Sequence, residues 1–367
     1  MTRKEEVGEK GRRVRVYMAE KGYGAVLLGT QANFAWYTAG GDNHVAIASE
    51  TGVATLVVTR EQDYAITSNI EQQRILEEEV GDLDIEVRSY PWWEADEAAA
   101  VLREIADEPF VGDVPLGGAE DVAREIAALR YSLLPSEVER YRYGGEIVGW
   151  ALGEAAQEIK PGDLEGKIAG LLAQKLMAWG VIPGVVLVAT DERVFKYRHP
   201  IPNTAKPLQH YAMLVVGGRY KGLCLSATRL VHFGPFNDEL RRRQEAVAYV
   251  DATLISHTRQ GRRIGDIFAA AVAAYEERGF ADEWQLHHQG GPTGYAARDY
   301  RAEPDCDLTV QPNQAFAWNP SITGTKSEDT IVATDAGPEI ISATPEWPML
   351  SAQVGNSTWE RPGILVR

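Results

Sequence analysis

The stretch LVVGGRYKGLCLSATRL at residues 214–230 decides the predicted fold of this chain. Its two apolar runs predict paired strands at residues 212–220 and 223–233. Two helical patterns and one strand precede the pair, and two more helices and several short strands follow it. This order predicts an α+β domain in which the helices pack on a curved antiparallel sheet.

The first 130 residues have a different pattern and predict an α/β domain of their own. A helical pattern at residues 9–21 is followed by a series of short apolar runs, several of them rich in β-branched residues. One of these runs is NFAWYTAGG at residues 33–41, and we expect it, like the others, to be extended.

A helix start marks the boundary between the two parts. Ser136 with Glu139 three residues later has the spacing of a capping box, in which each side chain caps the other's backbone. A chain of 367 residues is long enough for two hydrophobic cores. We therefore place the domains at residues 1–130 and 131–367.

The composition excludes several classes of partner and location. A net charge of −16 disfavours nucleic acid or an anionic membrane as the partner, because both require a basic face. The polar N-terminal residues lack the apolar core of a secretory signal, and no apolar run reaches the ~18 residues of a membrane span. Two cysteines are too few for a disulfide framework. We therefore predict a cytoplasmic protein.

Three segments carry landmarks of a known metallopeptidase pattern: residues 214–230, HHQGGPTGY at 287–295, and FAWNPSITGTKSEDTIVAT at 316–334. They contain, in the order of that pattern, its glycines, its Thr-Arg pair and its Glu-Asp-Thr ending. With these landmarks the C-terminal part resembles the pita-bread fold of the creatinase, prolidase and aminopeptidase P superfamily. Residues 33–41 stand where the N-terminal domain of creatinase and prolidase carries an Asn-aromatic-Thr-Gly signature, so the resemblance covers nearly the whole chain.

The resemblance implies five metal-ligand positions, and four of them hold residues unsuited to binding a metal pair. The five positions are Val215, Ser226, Gly291, Asn319 and Glu328. Two divalent cations need several carboxylates, one of them bridging, to balance their charge, and one carboxylate cannot hold them. We therefore predict no metal and no cofactor. The alternatives are a shifted alignment and a single metal held by Glu328 with neighbouring histidines.

Two histidines and one glutamate of the superfamily site are retained. His199, in YRHPIP, matches the histidine that is the catalytic acid and base in creatinase, which uses this fold without metal. His287 matches the second substrate-facing histidine, and Glu328 is the surviving acid. A histidine near a carboxylate can accept and donate protons near neutral pH. The resemblance thus predicts His199, His287 and Glu328 as catalytic residues; the alternative is that both histidines only hydrogen-bond loops.

Further residues are predicted to contact the substrate. An arginine of the site segments can hold a carboxylate by two parallel hydrogen bonds. By resemblance to creatinase, whose N-terminal domain completes the site of a neighbouring subunit, two aromatic residues are expected to reach across a homodimer. The predicted substrate contacts are Ser226, Arg229, His288, Arg298, Asn319, Phe34 and Trp36. Ser226 could alternatively act as a nucleophile with a histidine and a carboxylate.

These residues lead to one predicted function and two alternatives. We predict a metal-independent, creatinase-like hydrolase that cleaves a C–N bond of an amidine, a guanidino compound or an amide in a small molecule. His199 activates water and then protonates the leaving nitrogen, while Glu328 binds or polarises a cationic group. The first alternative is an Xaa-Pro dipeptidase or aminopeptidase of the same superfamily that uses metal. The second is a non-catalytic module that binds a ligand or peptide.

Overall fold

The structure is a computed structural model that describes residues 1–367. The chain divides into two compact units: Met1–Glu137 with Lys221–Leu223, and Val138–Tyr220 with Cys224–Arg367. Helices and strands are mixed along the chain, which agrees with the predicted α+β class. None of the helices combines the length and the apolar sequence that crossing a membrane requires.

The first unit is built around one mixed sheet. Its helices and strands are α1 (Arg3–Lys21), β1 (Ala25–Thr30), α2 (Gln31–Tyr37), β2 (Thr51–Val58), β3 (Asp63–Ser68), α3 (Gln72–Arg74), β4 (Ile85–Tyr90), α4 (Glu97–Ile105), β5 (Phe110–Gly112), β6 (Glu120–Asp121) and α5 (Ala123–Ala128). The six strands lie in the order β4-β3-β2-β1-β5-β6. β1 pairs antiparallel with β2 and parallel with β5, so it is covered on both edges. Leu27 of β1 and Leu102 of α4 belong to one buried apolar cluster.

One predicted strand of this unit is wrong, because NFAWY forms most of helix α2. Thr30 caps the helix: its hydroxyl accepts a hydrogen bond from the backbone N–H of Asn33 at 3.2 Å. Every residue from Asn33 to Tyr37 is buried. In a segment that is apolar on all sides, the hydrophobic residues show no period that distinguishes a helix from a strand. The prediction of a strand failed for this reason.

The second unit follows from helix α6, which begins just before the division. Its helices and strands are α6 (Pro135–Glu158), α7 (Glu165–Met177), β7 (Val181–Thr190), α8 (Glu192–Lys196), β8 (Tyr211–Tyr220), β9 (Leu223–His232), α9 (Asp238–His257), α10 (Ile264–Glu277), β10 (Gly290–Thr293), β11 (Ala315–Trp318), β12 (Ser321–Ile322), β13 (Thr325–Lys326), β14 (Asp329–Thr334), β15 (Gly337–Ile340), β16 (Met349–Val354), β17 (Ser357–Pro362) and β18 (Ile364–Val366).

The start of α6 differs from the predicted capping box. Ser136 lies inside the helix, so its side chain does not cap the N-terminus. The backbone N–H of Leu134 instead donates to Oε2 of Glu137 at 2.8 Å. Pro135 is the first helical residue, a position where the missing N–H of proline costs nothing because the first turn has no acceptor for it.

Two four-stranded sheets of the second unit meet at the residue before β14. One sheet has the order β18-β9-β8-β7 and the other β10-β11-β14-β15. A single antiparallel bridge between Thr228 of β9 and Glu328 joins the two. This bridge explains why segments about 100 residues apart in sequence, 214–230 and 316–334, come together.

A network of four buried charges fixes the same region. Arg229 of β9 donates to Oδ1 of Asp329 at 2.8 Å, and Arg361 of β17 donates to Oδ2 of Asp329 at 2.7 Å. Nε of Arg361 also donates to Oδ2 of Asp251 of α9 at 2.7 Å. Removing Arg361 would leave the buried Asp251 carboxylate without its ion-pair partner, which is costly. The network therefore holds Asp329, and with it the backbone of Glu328, in place.

Candidate functional site

Three histidines meet in the second unit. His199 lies in the loop between α8 and β8, while His287 and His288 follow the short 3-10 turn Glu283–Leu286. The Nε2 atoms of His199 and His287 lie 3.1 Å apart, and the rings of His287 and His288 stack with their centroids 4.4 Å apart. His287 is buried and its Nδ1 has no hydrogen-bond partner, whereas His199 is exposed. The structure thus brings together the three histidines that the sequence predicted for the site.

Burial and nearby cations keep these imidazoles neutral. Burial, and next the charge of Lys326, lowers the pKa of His287 to about 2. Burial, and next the charge of Arg298, lowers the pKa of His288 to about 4. The pKa of His199 is also lowered, because its ring is partly shielded from water although the residue is exposed, and because of the Lys326 charge. A neutral imidazole has one N–H and one lone pair, so in the contact between His199 and His287 one ring donates and the other accepts.

Glu328, the retained acid, is already paired with a lysine. Nζ of Lys326 lies 2.8 Å from Oε2 of Glu328, and the hydroxyl of Thr228 donates to the same oxygen at 2.6 Å. Burial alone would raise the pKa of Glu328, but the Lys326 charge and the hydrogen bonds from Lys326 and Thr228 hold it below its usual value. Glu328 is therefore an ionised carboxylate whose charge is balanced inside the protein.

The residues at the expected ligand positions do not fit a two-metal centre. Val215 is a buried member of an apolar cluster, and Ser226 is tied to Thr330 through its backbone N–H and carbonyl. Asn319 is buried, and its Oδ1 has no hydrogen-bond partner. Glu328 faces the Lys326 ammonium rather than a second carboxylate. A pair of divalent cations would need several carboxylates here, and the chain supplies one.

Gly291, at the position of the expected metal-binding histidine, has no room for a side chain. Its φ is +144°, in the region that favours glycine. A Cβ built on it would lie 2.8 Å from the backbone nitrogen of Ala302 and 3.0 Å from the carbonyl oxygen of Tyr300. The backbone itself therefore excludes the histidine of the metallopeptidase pattern.

The histidine cluster is the group of side chains that most resembles a set of metal ligands. His199, His287 and His288 each offer a nitrogen, and these three atoms all lie within 4.8 Å of one another. The spacing would suit one transition-metal ion. The charges of Lys326 and Arg298 act on the same imidazoles and oppose a cation there.

Arg298 supplies the unbalanced positive charge of the site. Its Nε is buried without a hydrogen-bond partner, and its only hydrogen bond runs from an NH group to the carbonyl oxygen of Ala297 at 2.7 Å. Burial lowers the pKa of Arg298, while the charge of Glu328 partly offsets this. Lys326 and Glu328 neutralise each other, and Arg298 adds a further positive charge that acts on His288. An anionic group is the ligand that this charge favours.

Arg229 is not a substrate contact, which corrects the prediction. Its five N–H groups are all used: Nε donates to Thr344, and the NH groups donate to the carbonyl oxygens of Thr228, Glu328 and Ser342 and to Asp329. The side chain is buried, so no donor is left for a ligand. Arg229 therefore stabilises the fold beside the site.

Phe34 and Trp36 are also misassigned. Both side chains are 0% exposed, so neither can reach the pocket of a neighbouring subunit. The carbonyl oxygen of Trp36 accepts a hydrogen bond from Nζ of Lys10 at 2.6 Å, which anchors helix α2 to α1. The aromatic signature of residues 33–41 serves the core of the first unit.

Two other predicted contacts, His288 and Asn319, lie at the turn that carries the histidines. Nδ1 of His288 accepts the backbone N–H of Gly290 at 3.2 Å, which leaves its Nε2 for other partners. The backbone N–H of Asn319 donates to the carbonyl oxygen of Gln289 at 3.0 Å, so β11 ends beside the turn that carries His287 and His288.

Sequence reasoning missed Lys326, the residue that changes the charge of the site. One signal was present: Lys326 and Glu328 are two positions apart in an extended segment. Side chains two apart in a strand point to the same face, so an ion pair between them was foreseeable. That both would be buried depends on the packing of the two sheets.

Comparison with known proteins agrees with this fold. Metallopeptidase family M24 matches the chain over residues 139–335. An uncharacterized peptidase of Staphylococcus aureus (strain bovine RF122 / ET3-1) is 22% identical over 234 residues, which cover 60% of this chain and 65% of that protein. The chain thus spans less than two thirds of the length of the curated relatives it matches.

Solved structures of low sequence identity have the same fold. The Xaa-Pro dipeptidase from Bacillus anthracis gives a TM-score of 0.78 at 18% identity, covering 98% of this chain and 100% of that chain. The prolidase from Pyrococcus horikoshii OT3 gives 0.77 at 18% identity, covering 92% and 98%. These likenesses confirm the predicted pita-bread fold. Because the family match extends over more than half of the sequence, the chain belongs to metallopeptidase family M24.

Proposed function

We propose that this protein is a hydrolase that cleaves an amide-type C–N bond in a small, carboxylate-bearing molecule, with His199 in place of a metal pair as the source of proton transfer. The observation that carries the proposal is the 3.1 Å contact between the Nε2 atoms of His199 and His287. One ring is exposed and the other buried, and both are neutral at pH 7 because their pKa values are lowered.

The contact allows His199 to act as a base while His287 accepts a hydrogen bond from it. When the shared proton lies on Nε2 of His199, that ring donates to Nε2 of His287 and carries its lone pair on Nδ1. Nδ1 takes a proton from water as the water oxygen bonds to the substrate carbon. The same proton then passes to the leaving nitrogen, and the C–N bond breaks with its electron pair on nitrogen. His287 stabilises the transient imidazolium by accepting its Nε2–H.

The charges of the site favour an amide over a cationic amidine or guanidinium. Glu328 was predicted to bind a cation, but Lys326 already neutralises it at 2.8 Å. The excess charge of Arg298 would repel a second cation and attract a carboxylate, and its unpartnered Nε can donate to one. Short peptides and acylated amino acids combine a neutral amide bond with a carboxylate. Membership in family M24 supports the same substrate class.

A substrate panel with and without a chelator tests the proposal. Glycylproline, an N-acetyl amino acid and creatine are incubated with the protein in the presence and absence of EDTA, and the released amine is measured. We expect turnover of an amide substrate that EDTA does not change. His199→Asn should lower kcat by about 10²–10⁴-fold, the range for loss of a general acid and base. His210→Asn is the control, because His210 is exposed and lies outside the histidine cluster.

Family membership also favours a second candidate, a metal-dependent Xaa-Pro peptidase. Elemental analysis of the purified protein separates the two functions. Two equivalents of manganese, cobalt or zinc per chain, with turnover lost in EDTA, would overturn the metal-independent proposal. If the wild type hydrolyses none of the three probes but binds one of them, the non-catalytic binding module becomes the better description.

A further inference from the structure

Lys326 is a buried cation paired with an acid of the metallopeptidase pattern. Its side chain is 4% exposed, and its Nζ lies 2.8 Å from the one retained acid, Glu328. Lys326 also lines a cavity of about 10 Å³ together with His287. That volume is close to the space one water molecule needs. The ammonium and the His287 ring, which contacts His199, therefore border the same small space.

The ammonium has hydrogen-bonding capacity left over. A lysine ammonium carries three N–H donors. One donor points to Oε2 of Glu328, and the structure gives Nζ no other acceptor. The carboxylate holds the ammonium in a fixed place, and the surroundings are poor in water, so its charge acts more strongly than at the surface. Lys326 and His287 line the same cavity, and Nε2 of His287 lies 3.1 Å from Nε2 of His199. The charge of Lys326 also lowers the pKa of both histidines, second only to burial.

We propose that Lys326 is a catalytic residue whose ammonium takes the place of the metal pair and stabilises the negative oxygen that forms when water adds to the substrate carbonyl. This inference rests on the proposed hydrolysis. In the addition step, the water oxygen bonds to carbon, the carbonyl π pair moves onto oxygen, and His199 accepts the water proton. In the second step that pair re-forms the carbonyl, the C–N bond breaks with its electrons on nitrogen, and His199 returns the proton to nitrogen. Lys326 keeps its own protons throughout.

Lys326→Met tests the charge, because methionine has a similar length and no donor. On the probe that the wild type hydrolyses, we expect kcat to fall by about 10²–10³-fold with KM nearly unchanged, as for loss of one oxyanion donor. Lys326→Arg keeps the charge and should retain part of the activity. Ethylammonium should partly restore Lys326→Ala, an effect that a purely structural lysine would not show. Lys167→Met is the control, since the Lys167 side chain is 65% exposed and pairs with Asp163, outside the histidine cluster.

A second measurement does not depend on turnover. The pKa of His199, followed by NMR, should rise in Lys326→Met because a nearby positive charge is lost, and should stay near the wild-type value in Lys326→Arg. If Lys326→Met does not fold, Lys326→Met combined with Glu328→Gln removes both charges together and keeps the volume.

The outcomes separate the two proposals. An active wild type whose kcat is unchanged in Lys326→Met would overturn the role of Lys326 and leave the proposed hydrolysis standing. A wild type that hydrolyses none of the probes would overturn both. An unchanged pKa of His199 in Lys326→Met would place the ammonium too far from the reacting atoms and refute the inference independently of activity.

Discussion

Replacing Arg229 tests whether this arginine supports the fold or binds substrate. Arg229→Met removes five hydrogen bonds and one half of the ion pair with Asp329, whose closest atoms are 2.8 Å apart. Both side chains are 2% exposed, so the carboxylate cannot gain water in exchange. The Thr344 hydroxyl and the Ser342 carbonyl oxygen lose the arginine as donor, while the Glu328 carbonyl oxygen keeps the N–H of Thr228 at 3.1 Å.

The magnitude follows from the remaining partner of Asp329. Breaking a buried ion pair by removing one side costs about 3–5 kcal/mol. Asp329 keeps Arg361 at 2.7 Å, so its charge stays paired, and we expect a loss near the lower end, about 3 kcal/mol. Because typical unfolding free energies are about 5–15 kcal/mol, such a loss is a large fraction of the stability.

Urea unfolding, followed by circular dichroism, measures the loss directly. Arg241→Met is the control, because the Arg241 side chain is 56% exposed and its Nε lies as far as 4.0 Å from Oδ1 of Asp238. An exposed pair of this kind contributes about 0–1 kcal/mol. If Arg229→Met cost less than about 1 kcal/mol while KM for the substrate rose, Arg229 would be a substrate contact after all, and the structural assignment would be refuted.

Two further changes test the site without any substrate. The pKa of His287 is about 2 in the folded protein and near 6.5 when unfolded, so the unfolded chain binds the extra proton and stability falls as pH drops below 6.5. Between pH 6.5 and 5, His287 should lower the free energy of unfolding by about 2 kcal/mol, and His287→Gln should abolish this part of the loss. If urea unfolding showed the same loss of stability in acid for both proteins, the assignment would be contradicted. Gly291→His, which restores the residue of the metallopeptidase pattern, should destabilise by about 2–3 kcal/mol or more because of its φ of +144° and the contact with Ala302. Gly294→Ala is its control, and a stable Gly291→His protein that binds metal would show that the backbone does adapt.

Sequence patterns were sufficient for the fold class because periodicity and landmarks are local. The paired apolar runs at 214–230 became strands β8 and β9, and the two helical patterns after them became α9 and α10. The histidines were also foreseeable, since His199 and His287 matched positions in the superfamily pattern. Their meeting at 3.1 Å follows from a topology that the resemblance implied.

The sequence could not separate a buried residue that serves the core from one that serves a ligand. Phe34, Trp36 and Arg229 are of the types that bind substrates, yet all three are enclosed by the protein. Burial depends on what the rest of the chain packs against each side chain, which no local pattern encodes.

What the sequence determined by itself was the family, the fold class and the loss of most metal ligands, because these depend on residue type and spacing. Only the tertiary structure decided the charge of the site. Lys326 and Glu328 neutralise each other at 2.8 Å, and Arg298 keeps a buried Nε without a partner. The physical reason is that the strength of a charge depends on its neighbours and on its distance from water, and both are set when the two sheets meet.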